Sequence, residues 1–221
     1  MTVEISELRK SFKQNDISIQ VLKGLNARIQ TGEIVAILGE SGSGKSTMLS
    51  LLSGLDDPDS GTLTIDGTDF LQLSEAQKTN FRSKNIGIVF QQYHLMSHLT
   101  ALENVMLPLE IAGVERAKPL AIELIDELGL SHRMNHLPSH LSGGECQRVA
   151  IARALVVNPK FLLADEPSGN LDVDTGKKVM DVFFQSVRRH QTTTLLVTHS
   201  LELAKKCDRI LTLVDGQLKQ L

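Results

Sequence analysis

A chain of 221 residues has room for one sizeable α/β domain, or for one core carrying an inserted subdomain. Its 41% hydrophobic and 22% charged residues are ordinary for a globular protein, and no stretch approaches the roughly 18 consecutive apolar residues of a membrane span. A net charge of −3 with no long basic block argues against nucleic acid as a partner.

The N-terminal Met1-Thr2-Val3-Glu4 lacks a basic start followed by an apolar run, so no signal peptide is expected. Residues 3–8, 18–22 and 25–29 alternate or run apolar between polar breaks and predict short strands. Residues 33–38 are β-branched and apolar, as in a buried strand. They feed a Gly/Ser-rich loop and then residues 45–53, whose Met48, Leu49, Leu51 and Leu52 fit the buried stripe of a helix closed by Gly54. Residues 63–65, between Gly61 and the Asp66-Gly67 turn, read as a hairpin strand. From about 91 to 157 the pattern is mostly helical. Leu120, Leu124, Ile125 and Leu128 share the apolar face of a helix at 121–128 that stops at Gly129, and 131–140 reads as a loop broken at Pro138. Buried strands return at 161–164, 194–197 and 210–214, with a helix at 176–189 between the first two. Strand–helix alternation after the Gly/Ser loop argues for a parallel sheet core. No repeat or low-complexity linker divides the chain.

Gly39-Glu40-Ser41-Gly42-Ser43-Gly44-Lys45-Ser46 matches the phosphate-loop pattern in full, and Thr47 continues into the helix. Glycines let the backbone turn its N–H groups inward on phosphates, and the following helix adds its positive N-terminal end. Lys45 then reaches the β- and γ-phosphates of a nucleoside triphosphate, and the Ser46 hydroxyl is a ligand for Mg²⁺. The apolar strand ending at Ala164 is followed by Asp165 and Glu166, carboxylates at a strand end where open α/β sheets bind ligands. Asp165 suits the Mg²⁺ shell and Glu166 suits the base that accepts a proton from, or orients, the attacking water. In Leu141-Ser142-Gly143-Gly144-Glu145-Cys146-Gln147-Arg148, Ser142 caps a helix beginning near Gly144, which makes a second anion-accepting helix start without a lysine.

Together these segments resemble the ATP-binding subunit of an ABC transporter, in which the Ser142–Gly144 stretch is the signature motif. The resemblance spans the chain from Phe12 to the strand at 210–214 and is strongest to the MacB, LolD and FtsE group, on Thr100-Ala101-Leu102-Glu103-Asn104-Val105 and Asp165-Glu166-Pro167-Ser168-Gly169-Asn170-Leu171-Asp172. It implies an α/β fold: a P-loop NTPase core with a mostly parallel sheet, an N-terminal antiparallel β-subdomain and an inserted helical subdomain at about 92–157, all within one nucleotide-binding domain of residues 1–221. It also implies an adenine-stacking role for Phe12, where most relatives carry Tyr. Gln91 is implied at the Mg²⁺ and attacking water, His199 as a switch contacting the γ-phosphate, and residues 168–172 as the loop coupling two active sites. Ser142, Gly143, Gly144 and Glu145 are implied to close on ATP held by the opposite subunit. Glu145 stands where many signature motifs have Gln, Cys146 replaces a usual polar residue and Ser168 a usual Thr.

The resemblance further implies a Mg²⁺-dependent ATPase that forms a homodimer on binding ATP. A separate membrane permease, like FtsX or MacB, would be energised from the cytoplasmic face of the inner membrane, with motion passed on near residues 91–99. Export or lipoprotein and peptide extraction is the leading expectation. The alternative is an FtsE-like ATPase that transmits force across the membrane without cargo. His132, His136 and His140, separated by Pro138, are expected to be solvated rather than metal-binding. Cys146 is expected to be an inert small residue, although a helix start can lower a thiol pKa; with Cys207 it fits a reducing compartment.

Overall fold

The computed structural model describes residues 2–14 and 17–221; Met1, the first residue of the signal-peptide reading, lies outside them. In chain order they form β1 (Val3–Gln14), β2 (Ile17–Ile29), β3 (Ile34–Leu38), α1 (Lys45–Ser53), β4 (Ser60–Ile65), β5 (Thr68–Asp69), α2 (Glu75–Asn85) and β6 (Ile86–Val89). There follow α3 (Ala101–Ile111), α4 (Ala117–Glu127), α5 (Gly143–Leu155), β7 (Phe161–Asp165), α6 (Val173–Arg189), β8 (Thr193–Val197), α7 (Leu201–Ala204), β9 (Arg209–Val214) and β10 (Gln217–Gln220). The chain divides into two compact units, one of residues 1–82 with 193–221 and one of residues 83–192.

The first unit holds an antiparallel sheet in the order β2-β1-β4-β5. Its inward residues, among them Val3, Ile5, Leu8, Leu25 and Leu63, are buried, as the alternation in the sequence requires. Both strands of the first hairpin run further than the sequence pattern shows: β1 pairs with β2 from Val3↔Ile29 to Gln14↔Ile17. Outside the core the pairing rests on backbone hydrogen bonds, so hydropathy carries no trace of it. In the same unit β3 lies parallel to both β8 and β9, and β10 turns back antiparallel on β9. Both Asp-Gly turns, Asp66-Gly67 and Asp215-Gly216, have positive φ at both residues, the geometry that closes tight hairpins.

α2 has no apolar stripe and was not legible as a helix. It is anchored by charge instead. Lys78 is buried with its ammonium 2.6 Å from Asp57 and 3.0 Å from Glu75, and Arg82 donates to the Gly54 carbonyl at 2.9 Å.

The second unit pairs β6 and β7 in parallel, Ile86↔Phe161 to Val89↔Ala164, with β7 buried through Ala164. α5 is its central helix, buried from Cys146 to Leu155 on most of its circumference. α6 buries Val179, Met180, Phe183, Phe184 and Val187, spaced by three and four as an amphipathic helix demands, and starts on the Asp172 cap. The stretch 131–140 is not a plain loop: short 3-10 turns occupy Ser131–Arg133 and Pro138–His140. Leu120 is 40% exposed, so α4 faces the core with Ala117, Ala121, Leu124 and Ile125. At about 3.6 residues per turn Leu120 falls on the flank of the arc that Ala117, Ala121, Leu124 and Ile125 centre, which is why it is left half outside.

Candidate functional site

In the first unit, the site is built where β3 ends. β3 and β8 run parallel with Ile37 beside Val197, so Gly39 and His199 leave the sheet at the same carboxyl edge, where open α/β sheets receive ligands. The loop then wraps tightly. Gly42 has φ 81° and Gly44 φ 101°, conformations strained for any side chain, and a Cβ on Gly44 would lie 2.9 Å from Val21 Cγ1. Gly44 caps α1 with no side-chain partner, leaving that helix start to whatever anion approaches.

Lys45 is buried, and its ammonium donates to the carbonyls of Gly39 at 2.8 Å and Glu40 at 2.7 Å. Ser43 Oγ is buried with no hydrogen-bond partner among the described residues. An orphaned hydroxyl and a cation held only by carbonyls, beside an uncapped helix start, fit a polyphosphate. Ser46 is exposed on the first turn of α1, a hard oxygen donor of the kind Mg²⁺ takes. A cleft of about 840 Å³ opens beside the loop, walled by Ile19, Val21, Gly39, Ser43, His199 and Leu213. Phe12 pairs across the hairpin with Ile19, is 44% exposed, and has Lys10 Nζ over its ring at 5.2 Å from the centroid.

In the second unit, β6 and β7 bring Gln91, Asp165 and Glu166 to one carboxyl edge. Glu166 has φ 44°, a left-handed backbone that a non-glycine residue adopts at a cost; such strain gathers at functional positions. The turn is closed by Gly169 N donating to Glu166 O at 2.8 Å. Gln91 joins this loop. Its Nε2 lies 3.3 Å from Asn170 Oδ1, and Asn170 Nδ2 donates to Gln91 O at 2.9 Å. A Cβ on Gly169 would approach Gln91 Nε2 to 2.9 Å, so a side chain there would displace the Gln91 amide.

Ser142 caps α5 through a reciprocal capping box. Its Oγ accepts from Glu145 N, while Glu145 Oε2 accepts from Ser142 N at 2.7 Å and Oγ at 2.9 Å. The Glu145 carboxyl is held at about 2, first by the Ser142 backbone N–H and then by the Ser142 hydroxyl and Arg133. Its side chain is thus spent inside the chain, while Ser142 and Gly143 stay exposed. A Cβ on Gly143 would stand 2.9 Å from Tyr93 Oη, and one on Gly144 2.5 Å from Thr175 Cγ2, so this helix start is packed from below. Cys146 is buried, and burial with the neighbouring Glu145 charge raises its thiol, opposite to the lowering a helix start alone predicts. Of the three histidines, His136 Nε2 lies 3.4 Å from Arg133 Nη1 and His132 Nε2 3.9 Å from Glu145 Oε1.

The bracing roles of three polar residues, Asn104, Arg133 and Arg153, escaped sequence reasoning, and Asn170 was read only as part of the 168–172 coupling loop, not as the partner of Gln91. Fully buried Asn104 accepts from Met96 N at 2.8 Å and donates to the carbonyls of Met96, Leu99 and Thr100. Arg153 donates to the carbonyls of His94 at 2.6 Å and Tyr93 at 2.8 Å. The one visible signal was Arg153, a charge interrupting an apolar helix.

The family model described as ABC transporter matches residues 22–169. The chain is 47% identical over 218 residues to the lipoprotein-releasing system ATP-binding protein LolD of Geobacter metallireducens, covering 98% of this chain and 97% of that protein. It is 46% identical over 220 residues to the uncharacterized ABC transporter ATP-binding protein YbbA of Escherichia coli K12, covering 99% and 96%. Among solved structures, the dimeric post-hydrolysis state of the ATP-binding cassette MJ0796 bound to ADP and Pi superposes with a TM-score of 0.89 at 40% identity, over 99% of this chain and 97% of that one. With the phosphate loop, the strand-end carboxylates and the capped serine–glycine helix start all in place, the chain belongs to the ABC transporter family, as an ATP-binding subunit with ATPase activity.

Proposed function

We propose that this subunit works as a head-to-tail homodimer with two ATP molecules between the protomers, driving a separate permease from the cytoplasmic face of the membrane. The observation that carries the reading is the presence of two anion-accepting helix starts in one chain, α1 after the glycine loop and α5 at Ser142. One triphosphate needs one lysine-bearing loop; the second start, which has no lysine, serves the nucleotide of the partner. Residues 1–221 act as one nucleotide-binding domain, with 92–157 as its helical insertion.

Lys45, the backbone N–H groups of the loop and Ser43 grip the phosphates of the subunit's own ATP, and Phe12 stacks on its base. Ser46, Asp165 and Gln91 would hold Mg²⁺, which when bound would supply positive charge to the phosphates. Glu166 takes a proton from the attacking water, and His199 orients on the γ-phosphate. Ser142, Gly143 and Gly144 seal the partner's γ-phosphate, and Glu145 holds Ser142 in place. Residues 91–99 pass the motion on. Asn104 and Arg153 brace that segment from behind while Met96 stays 43% exposed. No helix among the described residues is long and apolar enough to cross a membrane, so spanning falls to the permease. The relatives named for lipoprotein release support release of a lipoprotein as the work done.

Subunit mixing tests the head-to-tail arrangement. Lys45→Ala and Ser142→Ala are each expected to abolish hydrolysis alone; mixed, they are expected to regain activity, because one of the two shared sites then carries neither change. No regain on mixing, with each variant folded and able to enter dimers, overturns the reading.

A further inference from the structure

The start of α5 carries an apparent contradiction. A helix start that receives phosphate oxygens has a carboxylate, Glu145, on its first turn, hydrogen-bonded to the very serine that would touch the phosphate. The Glu145 side chain is 12% exposed, so solvent screens it poorly. A bare negative charge there would oppose an incoming triphosphate by roughly tenfold or more in affinity.

Arg133 answers that charge. Its Nε donates to Glu145 Oε1 at 2.9 Å, on the oxygen that Ser142 does not use. The backbone that carries the arginine is fixed independently of the glutamate. Arg133 N donates to Leu130 O at 2.8 Å, closing its 3-10 turn. Directly after it, the Met134 and His136 carbonyls accept from Leu102 N and Ala101 N, the otherwise unpaired first N–H groups of α3, each at 2.9 Å. One short segment therefore ties the start of α3 to the start of α5. The depressed Glu145 carboxyl agrees with this pairing, since the ionised form is the one every partner stabilises.

We propose that Arg133 is a positioning residue for ATP sealing: it neutralises Glu145, so that the carboxylate can fix the Ser142 rotamer without repelling the phosphates. The proposal rests on the reading that Ser142 contacts the partner's ATP. It explains how glutamate is tolerated in this motif, and it makes the arginine necessary only because the glutamate is charged.

The test is a double-mutant cycle on ATP hydrolysis by the full chain, with Arg133→Ala, Glu145→Gln and the combined variant. Arg133→Ala is expected to raise the KM for ATP about tenfold. In the Glu145→Gln background, the same arginine change is expected to alter KM less than twofold, because no charge remains to neutralise. An equal Arg133→Ala penalty in both backgrounds overturns the proposal, as does no penalty in either. A merely structural arginine would give that equal penalty. Should Arg133→Ala fail to fold, Arg133→Gln is compared across the same two backgrounds, with Arg133→Lys expected to retain most activity through its charge. Ser142→Ala separates the two levels. Unchanged hydrolysis in that variant removes the sealing reading and this proposal with it, whereas a lost activity there with a flat Arg133 cycle removes only the proposal.

Discussion

Gln91 and Asn170 hold each other reciprocally: the Asn170 amide donates to the Gln91 carbonyl at 2.9 Å, and the Gln91 amide lies 3.3 Å from the Asn170 side-chain oxygen. The residue after β6 is thereby latched to the loop after Glu166. If Gln91 serves Mg²⁺ and water, Asn170 sets where it stands. Asn170→Ala is expected to lower kcat about fivefold, the value of roughly 1 kcal/mol in one hydrogen-bonded pair. It should also raise the Mg²⁺ concentration needed for half-maximal rate. Phosphate release across a Mg²⁺ titration measures both. In a Gln91→Ala background, Asn170→Ala should add nothing further; independent losses would show that the latch is not the route.

Glu166→Gln is expected to lower turnover by about 10²–10³-fold while nucleotide binding persists, because the amide cannot accept the water's proton. The side chain is nearly isosteric, so the left-handed turn at φ 44° is kept. Sedimentation with ATP should then show a persistent dimer. Normal phosphate release from this variant would place the base elsewhere.

The Glu145 carboxyl lies at about 2 against an ordinary 4.5, so between those values the unfolded chain binds more protons than the folded one. Its contribution to stability is full above about pH 4.5 and drains as pH falls towards about 2. Glu145→Gln should remove that contribution, giving a shallower decline of stability over the same window. Urea midpoints measured from pH 7 downward check it; parallel declines for the two proteins would refute the assignment.

Gly87→Ala probes packing remote from the reacting groups. A Cβ there would run into the Ala154 carbonyl oxygen and lie 2.9 Å from Leu162 Cδ1 and 3.1 Å from Pro159 Cγ. Backbone on one side leaves little room to give. A cost of about 1–3 kcal/mol is expected, lowering Tm by several degrees in a chain of this size. Thermal unfolding at neutral pH is the measurement, and an unchanged Tm would mean that β6 can move away from α5.

The legible parts of the site share one property. The strand, glycine loop and helix from Ile34 to Ser53 are contiguous, and each step has a local cause: an apolar run, residues that tolerate positive φ, then an apolar stripe. The same holds for Ser142 at its cap and for the carboxylates at the end of β7. Where the cause was not local, sequence reasoning was blind or misled. α2 is pinned by the Lys78 pair and Arg82 rather than by a stripe. Leu120 shares the spacing of the α4 core residues yet faces outward. Cys146, by contrast, was read as an inert small residue, and the burial that raises its thiol agrees with that reading.

From its sequence alone, this protein's phosphate loop, its strand-end carboxylates and its serine-capped helix start were determined, because short-range sterics and backbone hydrogen bonding dictate each within a few residues. Only the tertiary structure decided which polar side chains hold those groups in place. Asn170 on Gln91, Arg133 on Glu145 and Asn104 on the segment from Met96 to Thr100 are pairings between turns and helix ends. They depend on direction and on distances near 3 Å, which hydropathy and periodicity do not encode.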